Sequence, residues 1–328
     1  RLDPQVHPGG RPGYLSRDVE LQVADVRDGE AVRAALDGVD VVLHCAAAVG
    51  IAQSLYRVQH YVDANVGGTG ALLEALAERK DRRVRLVVLT SMTGYGEGLY
   101  RRPSDGALRR VAIRRQEDID RFGWDVVDPE TGEVLEPAPT PEDAAQLARN
   151  VYALTKRYQE ELALALGEVY GFPVTCLRLF NVYGPRQSLT NPYTGVLAIF
   201  LSRLLQGRAP VVYEDGRQTR DFVSVHDVVR AVGAVIADPA SAGQVFNVGT
   251  GIGRTIGDIG RTLARLVGRE ELAPVVTVPL TVTVPFVPPK ISVLVVDWGS
   301  APTMLGMLAQ LFVPEPHTPE PPWPVGAQ

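Results

Sequence analysis

The sequence is poor in residues that bind metals or form disulfides. It has two cysteines, Cys45 and Cys176, each within an apolar run. A disulfide framework and a thiolate metal site are therefore both unexpected. The five histidines show no spacing typical of metal ligands. We predict a protein without a bound metal.

The sequence also lacks an excess of positive charge and a segment fit to cross a membrane. Its net charge of −5 over 328 residues argues against nucleic acid as the main partner. No signal peptide opens the printed sequence. The most apolar late segment, Leu280 to Val296, contains three prolines and a lysine, which makes it a poor membrane helix. We expect no nucleic acid, no membrane and a cytoplasmic location.

The hydrophobic pattern alternates between strands and helices. Continuous apolar runs such as Val39–Ala47 are typical of buried parallel strands. Further strands are predicted at Val19–Asp25, Arg85–Ser91 and Pro173–Val182, and helices at Asp28–Gly38, Tyr56–Lys80, Pro141–Tyr170, Gly195–Gly207, Val225–Asp238 and Thr255–Val267. This order predicts an α/β fold with a doubly wound parallel sheet. In such sheets ligands bind beyond the carboxyl ends of the strands, here after Ala47, Ser91 and Val182.

Composition divides the chain into three predicted segments. Residues 1–182 hold the sheet, and residues 183–273 form a smaller lobe of mixed α/β structure. Residues 274–328 form a proline-rich tail, because twelve of the 25 prolines lie from Pro274 onward. The segment Val313–Pro324 is typical of extended, poorly ordered chain. The stretch Gly94–Pro141 reads as polar and irregular.

A tyrosine and a lysine lie four residues apart, at Tyr152 and Lys156, on a predicted helix. Residues i and i+4 share one face of a helix. A neighbouring ammonium favours the phenolate and so lowers the tyrosine pKa, as a base near neutral pH requires. Ser91, at the end of a predicted strand, can hydrogen-bond the same substrate oxygen. The spacing alone favours a surface pair, because both residue types are common on helices.

Six further motifs decide between these alternatives. They are "ADVRD" (Ala24–Asp28), "HCAAAVG" (His44–Gly50), "NVGGTGALLEA" (Asn65–Ala75), "LTSMTGYGEG" (Leu89–Gly98), "RLFNVYGPRQ" (Arg178–Gln187) and "RDFVSVHDVVRA" (Arg220–Ala231). In this order they resemble the signatures of the extended short-chain dehydrogenase/reductase family, specifically its NAD-dependent nucleotide-sugar epimerases and dehydratases. The resemblance covers about three quarters of the chain. It implies a Rossmann-like domain with a smaller substrate lobe, a nucleoside-diphosphate sugar as ligand and a homodimer.

The resemblance also implies roles for single residues. Tyr152 would be the acid/base, Lys156 would tune it and hold the nicotinamide ribose of NAD, and Ser91 would orient the sugar oxygen. The cofactor would further contact Asp25, Val26, Ala46, Ala47 and Asn65, although Asn65 could instead brace its helix. Asn181 and Arg220 would bind the sugar diphosphate, where a guanidinium fork fits a phosphate.

Other conspicuous residues are interpreted as structural. Arg178 is expected in a buried ion pair, and His44, Cys45 and Cys176 are expected to pack in the core.

The residues that follow Ser91 favour one reaction within the family. Its dehydratases place Asp and Glu there, whereas this chain has Met92 and Thr93, which do not titrate usefully near neutral pH. We therefore expect 4-epimerisation, with dehydration or simple reduction as the alternatives. The sequence most resembles dTDP-L-rhamnose 4-epimerase-like members of the family, which favours a dTDP-sugar.

One family element is not found in the printed residues. The family opens with a strand and a Gly-rich turn whose amides approach the cofactor pyrophosphate, and no such element precedes Val19. The glycine-rich stretch Gly249–Gly257 is interpreted as a loop of the substrate lobe rather than a replacement. These 328 residues are therefore expected to bind NAD poorly, and a truncated, non-catalytic member that binds a ligand or a partner is the alternative from another class.

Overall fold

The computed structural model describes residues 13–79, 84–111, 114–187 and 195–277. The strands are β1 (Val41–His44), β2 (Arg85–Ser91), β3 (Leu99–Arg101), β4 (Leu108–Arg110), β5 (Glu136–Ala138), β6 (Val174–Leu179), β7 (Asn181–Tyr183), β8 (Val211–Tyr213), β9 (Thr219–Ser224), β10 (Gln244–Val248), β11 (Gly253–Thr255) and β12 (Val275–Thr277). The α-helices are α1 (Gly29–Ala35), α2 (Ile51–Ser54), α3 (Val58–Tyr61), α4 (Gly68–Glu78), α5 (Gln116–Phe122), α6 (Val151–Tyr170), α7 (Val196–Leu205), α8 (Val225–Ala237) and α9 (Ile256–Leu266). A π-helical turn, Val62–Gly67, joins α3 to α4.

The central sheet is parallel, with the strand order β1-β2-β6-β10. On one face, α4 and α6 cover it through a cluster that includes Leu73, Leu86 and Ala163. On the other face, α8 packs against β2 and β6 through a cluster that includes Val87 and Val228. A parallel sheet covered by helices on both faces is the predicted α/β, Rossmann-like fold.

The second half of the described chain builds smaller sheets. Strands β11, β9 and β7 form one, and β12 and β8 form another. A core of Phe200, Val212 and Ile256 joins this region to α7 and α9. This region therefore mixes short strands with helices, and a separate substrate lobe over residues 183–273 remains a prediction.

The stretch between β2 and α6 is more ordered than the sequence suggests. It contains α5 and an antiparallel sheet in the order β4-β3-β5. The fully buried carboxylate of Asp128 pairs with Arg102 at 3.1 Å and Arg109 at 3.2 Å. The expectation of irregular structure from Gly94 to Pro141 is therefore wrong, because a buried ion pair stabilises a segment that has little hydrophobic periodicity.

Two predicted elements differ from the structure. Val19–Asp25 is not a strand, and Val23 is 75% exposed. In the described residues β1 is the edge strand of the central sheet, and Val19–Asp25 does not pair with it. The alternating side chains of Val19–Asp25 therefore have no sheet to pack against. The helix expected from Pro141 begins only at Val151, because Asn150 is extended and its side chain accepts from the amide of Ala153 at 2.9 Å.

The described residues all belong to one compact unit of the chain. The proline-rich tail beyond residue 277 lies outside the described residues, and the proposed boundaries after residues 182 and 273 remain predictions. Among the helices that the structure describes, none is both long and apolar enough to span a membrane.

Candidate active site

The end of β2 and the start of α6 meet at the predicted catalytic residues. Ser91 is the last residue of β2, and its hydroxyl lies near enough to the Tyr152 phenol to lower the pKa of that phenol. Ser91 Oγ also accepts from the Thr93 hydroxyl at 3.0 Å. The Tyr152 ring packs edge-to-face against Tyr61, with ring centroids 6.4 Å apart. The structure therefore brings Ser91 and Tyr152 together at the carboxyl edge of the sheet, where ligands bind in this architecture.

A buried serine that the sequence analysis missed fixes the start of α6. Ser54 Oγ accepts from the Tyr152 amide at 3.1 Å and donates to the Ile51 carbonyl at 2.6 Å. Ser54 is fully buried, so this contact lies inside the protein. Its only sequence signal is a polar residue in an otherwise mixed segment, which is too weak to detect without the fold.

Lys156 lies one helical turn after Tyr152 and is only 5% exposed. Its Nζ donates to the Leu89 carbonyl and to Gln159 Oε1, both at 2.6 Å. Burial lowers the pKa of Lys156 to about 8, because water no longer solvates the ammonium. The side chain is thus a buried, hydrogen-bonded cation near neutral pH, which rules out the alternative of a surface pair.

The expected lowering of the Tyr152 pKa is not found in the structure. Burial raises the pKa of Tyr152, and the nearby Ser91 hydroxyl only partly opposes that rise. The Lys156 ammonium is directed at Leu89 and Gln159. Desolvation therefore outweighs the charge effect that sequence spacing suggested, and the phenol is protonated at neutral pH.

The loop after β1 contains the small residues Ala46 and Ala47, which the sequence predicts to contact the cofactor. Ala46 is exposed and Ala47 is half-buried. Their methyl groups leave room for a ligand to approach the sheet edge closely. Cys45 is exposed, so the expectation that it packs in the core is wrong, whereas Cys176 is buried as expected. The roles of Ala46 and Ala47 toward the cofactor remain predictions.

Asn65 braces this loop from below. Its Oδ1 accepts from the Ala48 amide at 2.6 Å, and its Nδ2 donates to the Ala48 carbonyl at 3.1 Å and to Thr155 Oγ1 at 2.9 Å. The residue is fully buried. The predicted cofactor contact by Asn65 is therefore corrected: a side chain without exposed surface cannot touch a ligand, and the bracing alternative describes it.

The predicted adenine residues lie before α1. The exposed Asp25 carboxylate pairs with Arg27 at 2.7 Å. Val26 packs so closely over the start of α4 that a Cβ at Gly68 would overlap its methyl group. This contact explains why Gly occurs there. The roles of Asp25 and Val26 toward adenine remain predictions.

The predicted diphosphate residues lie on neighbouring strands. Asn181 in β7 donates through Nδ2 to the Asp221 carbonyl at 3.0 Å. Arg220 in β9 is exposed, and it lies directly opposite Arg254 of β11. Two like charges at directly opposite positions repel each other. The roles of Asn181 and Arg220 toward the sugar diphosphate remain predictions.

The glycine-rich loop Gly249–Gly257 is held by a carboxylate of the protein itself. Asp221 accepts from the Thr250 amide at 2.8 Å, from the Thr250 hydroxyl at 2.7 Å and from the Gly251 amide at 2.7 Å. The loop leads into β11, which is antiparallel to β9. These amides are already satisfied and do not form a phosphate cradle, which supports its interpretation as a loop of the lobe.

Arg178 forms the buried ion pair predicted from the sequence. Its guanidinium forms a bidentate pair with Glu160, at 2.6 Å and 3.0 Å, and both side chains are buried. In the residues that the structure describes, no three His, Cys, Asp or Glu side chains are grouped to hold a metal.

Comparison with known proteins agrees with this geometry. The model of the "NAD dependent epimerase/dehydratase family" matches residues 6–117 and 121–249. A dTDP-L-rhamnose 4-epimerase from Burkholderia thailandensis is 36% identical over 278 residues, which cover 82% of this chain and 74% of the relative. A UDP-glucose 4-epimerase from Thermotoga maritima, solved with UDP-glucose, has a TM-score of 0.66 at 25% identity and covers 84% of this chain and 77% of its own.

A second solved structure includes the cofactor. It is a UDP-glucose 4-epimerase from Thermus thermophilus in complex with NAD, with a TM-score of 0.62 at 26% identity, and the match covers 83% of this chain and 76% of the other. The chain belongs to the NAD-dependent epimerase/dehydratase family, and its cofactor is NAD.

Proposed function

We propose that this protein inverts the configuration at C4 of a nucleoside-diphosphate sugar, with a dTDP-sugar favoured. The observation that carries the proposal is the junction of Ser91, Tyr152 and the buried Lys156 at the carboxyl end of β2. Support for the sugar comes from the 36% identity to a dTDP-L-rhamnose 4-epimerase.

Each side chain of the site has a separate role in the proposed reaction. NAD, when bound, supplies reversible hydride transfer at the sugar carbon. Tyr152 takes the proton of the C4 hydroxyl and later returns it, while Ser91 orients that oxygen. The Lys156 ammonium stabilises the phenolate form of Tyr152 when the phenol is ionised and binds the nicotinamide ribose. Asn181 and Arg220 bind the diphosphate.

The structure gives Thr93 a role that supports epimerisation over dehydration. Its hydroxyl donates to Ser91 Oγ at 3.0 Å, and the Thr93 amide contacts the same oxygen at 3.3 Å. Thr93 therefore orients Ser91 at a position where a dehydratase of this family carries an acidic group. Neither Met92 nor Thr93 can exchange a C5 proton near neutral pH.

A substrate panel tests the proposed reaction. Incubation with dTDP-, UDP- and GDP-sugars should give the C4 epimer of a dTDP-6-deoxyhexose, with no net change in NADH absorbance. The measurement is separation of the two epimers by chromatography or by their anomeric proton signals. A 4-keto-6-deoxy product would contradict epimerisation, and turnover confined to UDP-galactose would contradict the dTDP assignment.

We also propose a homodimer that uses the outer faces of α3, the π-helical turn and α6. Leu154 and Tyr158 lie four residues apart on α6 and are exposed, and so are Val58 and Val62 on the neighbouring helical segment. These four side chains form an apolar surface that a second copy would bury. Light scattering should give twice the mass of a single chain, and Tyr158→Glu should lower it to one. A single-chain mass for the unmodified protein would contradict the dimer.

A further inference from the structure

Gln159 is a fully buried amide, three residues after Lys156 on α6. Its Oε1 accepts from Lys156 Nζ at 2.6 Å. Its Nε2 donates to Thr69 Oγ1 at 2.7 Å and lies 3.1 Å from His44 Nε2. An ammonium has no acceptor, so the oxygen of the amide must face Lys156 and the nitrogen must face Thr69 and His44. These contacts therefore fix the orientation of the Gln159 side-chain amide.

Two groups lie beyond the amide nitrogen, the Thr69 hydroxyl and the His44 imidazole. The Thr69 hydroxyl donates to the Asn65 carbonyl at 2.6 Å, which leaves its lone pairs for Gln159. His44 is buried, and burial lowers its pKa to about 4, with a smaller contribution from the Lys156 charge. Its imidazole is thus neutral at pH 7. Its Nε2 lies 2.9 Å from Thr69 Oγ1 and 3.1 Å from Gln159 Nε2, and the tautomer decides which of them it bonds, so the Thr69 oxygen is the assigned acceptor of the amide.

Packing alone does not explain an amide at this position. A buried amide is costly unless its polar atoms are hydrogen-bonded, and a hydrophobic residue of similar volume would fill the same space. With such a residue, the Lys156 ammonium would lose one of the two protein acceptors that hold it, leaving the Leu89 carbonyl. The amide also keeps the acceptor neutral, so the positive charge of Lys156 is retained.

We propose that Gln159 is a positioning residue that holds the Lys156 ammonium in place and links it to the hydroxyl of Thr69 and the imidazole of His44. The effect of Gln159 on turnover rests on the proposed function, in which Lys156 acts on Tyr152 and on the nicotinamide ribose. The positioning itself concerns only the protein's own side chains and is measured without turnover.

Three titratable groups on neighbouring strands interact electrostatically with Lys156. His44 and Cys45 come from the end of β1 and Cys176 from β6. Tyr152 and Glu160 lie on α6 itself, and Glu160 is paired with Arg178. Because Glu160 is already paired with Arg178, a substitution at Gln159 should change the Lys156 pKa only through the group placed at position 159.

Lysine NMR gives a direct test, because the chain contains three lysines, Lys80, Lys156 and Lys290. The full chain is labelled with ¹³Cε-lysine, the Lys156 signal is assigned with Lys156→Arg, and its pKa is read from a pH titration. Gln159→Met, which keeps the shape but removes both hydrogen bonds, should lower that pKa by about 1 to 2 pH units, since a hydrogen bond to a charged group contributes energy of that order. Gln159→Glu should raise it, because a carboxylate favours the ammonium.

Thr175→Val is the matched control. Thr175 is fully buried and its hydroxyl bonds the Ser241 carbonyl at 2.9 Å, so this variant also loses a buried hydrogen bond, but one that does not involve Lys156. The control should leave the Lys156 titration unchanged. In turnover, Gln159→Met should lower kcat about 10-fold or more with an unchanged KM for the sugar nucleotide, and Gln159→Glu should recover part of it.

Several outcomes would overturn the proposal. An unchanged Lys156 titration in folded Gln159→Met would show that the amide does not hold the ammonium, and an unchanged or lowered pKa in Gln159→Glu would show the same. If both variants fail to fold while Thr175→Val folds, Gln159 is a structural residue only. If the unmodified protein turns over no sugar nucleotide while the Gln159 variants show the predicted changes of the Lys156 pKa, the proposed function is contradicted and the positioning role of Gln159 is supported.

Discussion

Tyr152→Phe is expected to lower turnover by about 10²–10⁴-fold or more, the usual contribution of a general acid or base. Binding of the sugar nucleotide should remain nearly unchanged. The reason is that the variant loses only the phenolic oxygen, while the ring keeps its edge-to-face packing against Tyr61 and the helix keeps its anchor at Ser54. Steady-state kinetics with the epimerised sugar and calorimetric binding of the same ligand separate the two quantities.

The pH dependence supplies a second test of the same residue. Burial raises the pKa of Tyr152, so the fraction of phenolate increases with pH through the neutral range. The rate of the unmodified enzyme should therefore rise with pH there, and the residual rate of the Phe variant should lack this rise. Tyr170→Phe, at the far end of the same helix, is the control and should behave like the unmodified protein. Full activity of Tyr152→Phe would reject the mechanism.

The sequence predicted the elements whose signals are local. Arg85–Ser91 was expected as a buried strand and is β2 with the same bounds. Helices α7, α8 and α9 agree with their predicted ranges to within two residues at each end. These elements combine clear hydrophobic periodicity with a nearby cap or glycine, so chain neighbours alone determine them. The wrong strand at Val19–Asp25 has the same alternation, but a strand also needs a neighbour, which periodicity does not reveal.

The positions of Ser91, Tyr152 and Lys156 were predictable because the motifs place these residues at fixed points of a known fold. Their surroundings were not. Ser54 and Gln159 act across about 100 and 90 residues of sequence, on Tyr152 and on Thr69. Such contacts depend on how α2, α4 and α6 pack, and a single polar residue in a helix gives no sign of its partner. The Tyr152 pKa was predicted with the wrong sign for the same reason, because burial is a property of the fold.

The buried pair of Glu160 and Arg178 leads to the largest expected change in stability. Glu160→Gln should lower the free energy of unfolding by about 3–5 kcal/mol, the usual cost of removing one partner from a buried ion pair. The carboxylate accepts two bonds from Arg178, one from Thr90 Oγ1 at 3.0 Å and one from Gln146 Nε2 at 2.7 Å. The amide of the variant keeps one oxygen, so it cannot satisfy these four donors, and the Arg178 charge remains buried without a counter-ion.

The adjacent residue on α6 provides a matched control for this experiment. Glu161 pairs with Arg157 at 2.7 Å, but both side chains of that pair are substantially exposed. Exposed pairs contribute about 0–1 kcal/mol, because water screens the charges. Glu161→Gln should therefore change the denaturant midpoint little, whereas Glu160→Gln should shift it strongly. Equal shifts in the two variants would mean that the buried pair is no stronger than a surface pair. The Glu160–Arg178 pair joins α6, which carries Tyr152 and Lys156, to β6 in the centre of the sheet, so a confirmed loss would show that the position of the catalytic helix depends on an ion pair inside the core.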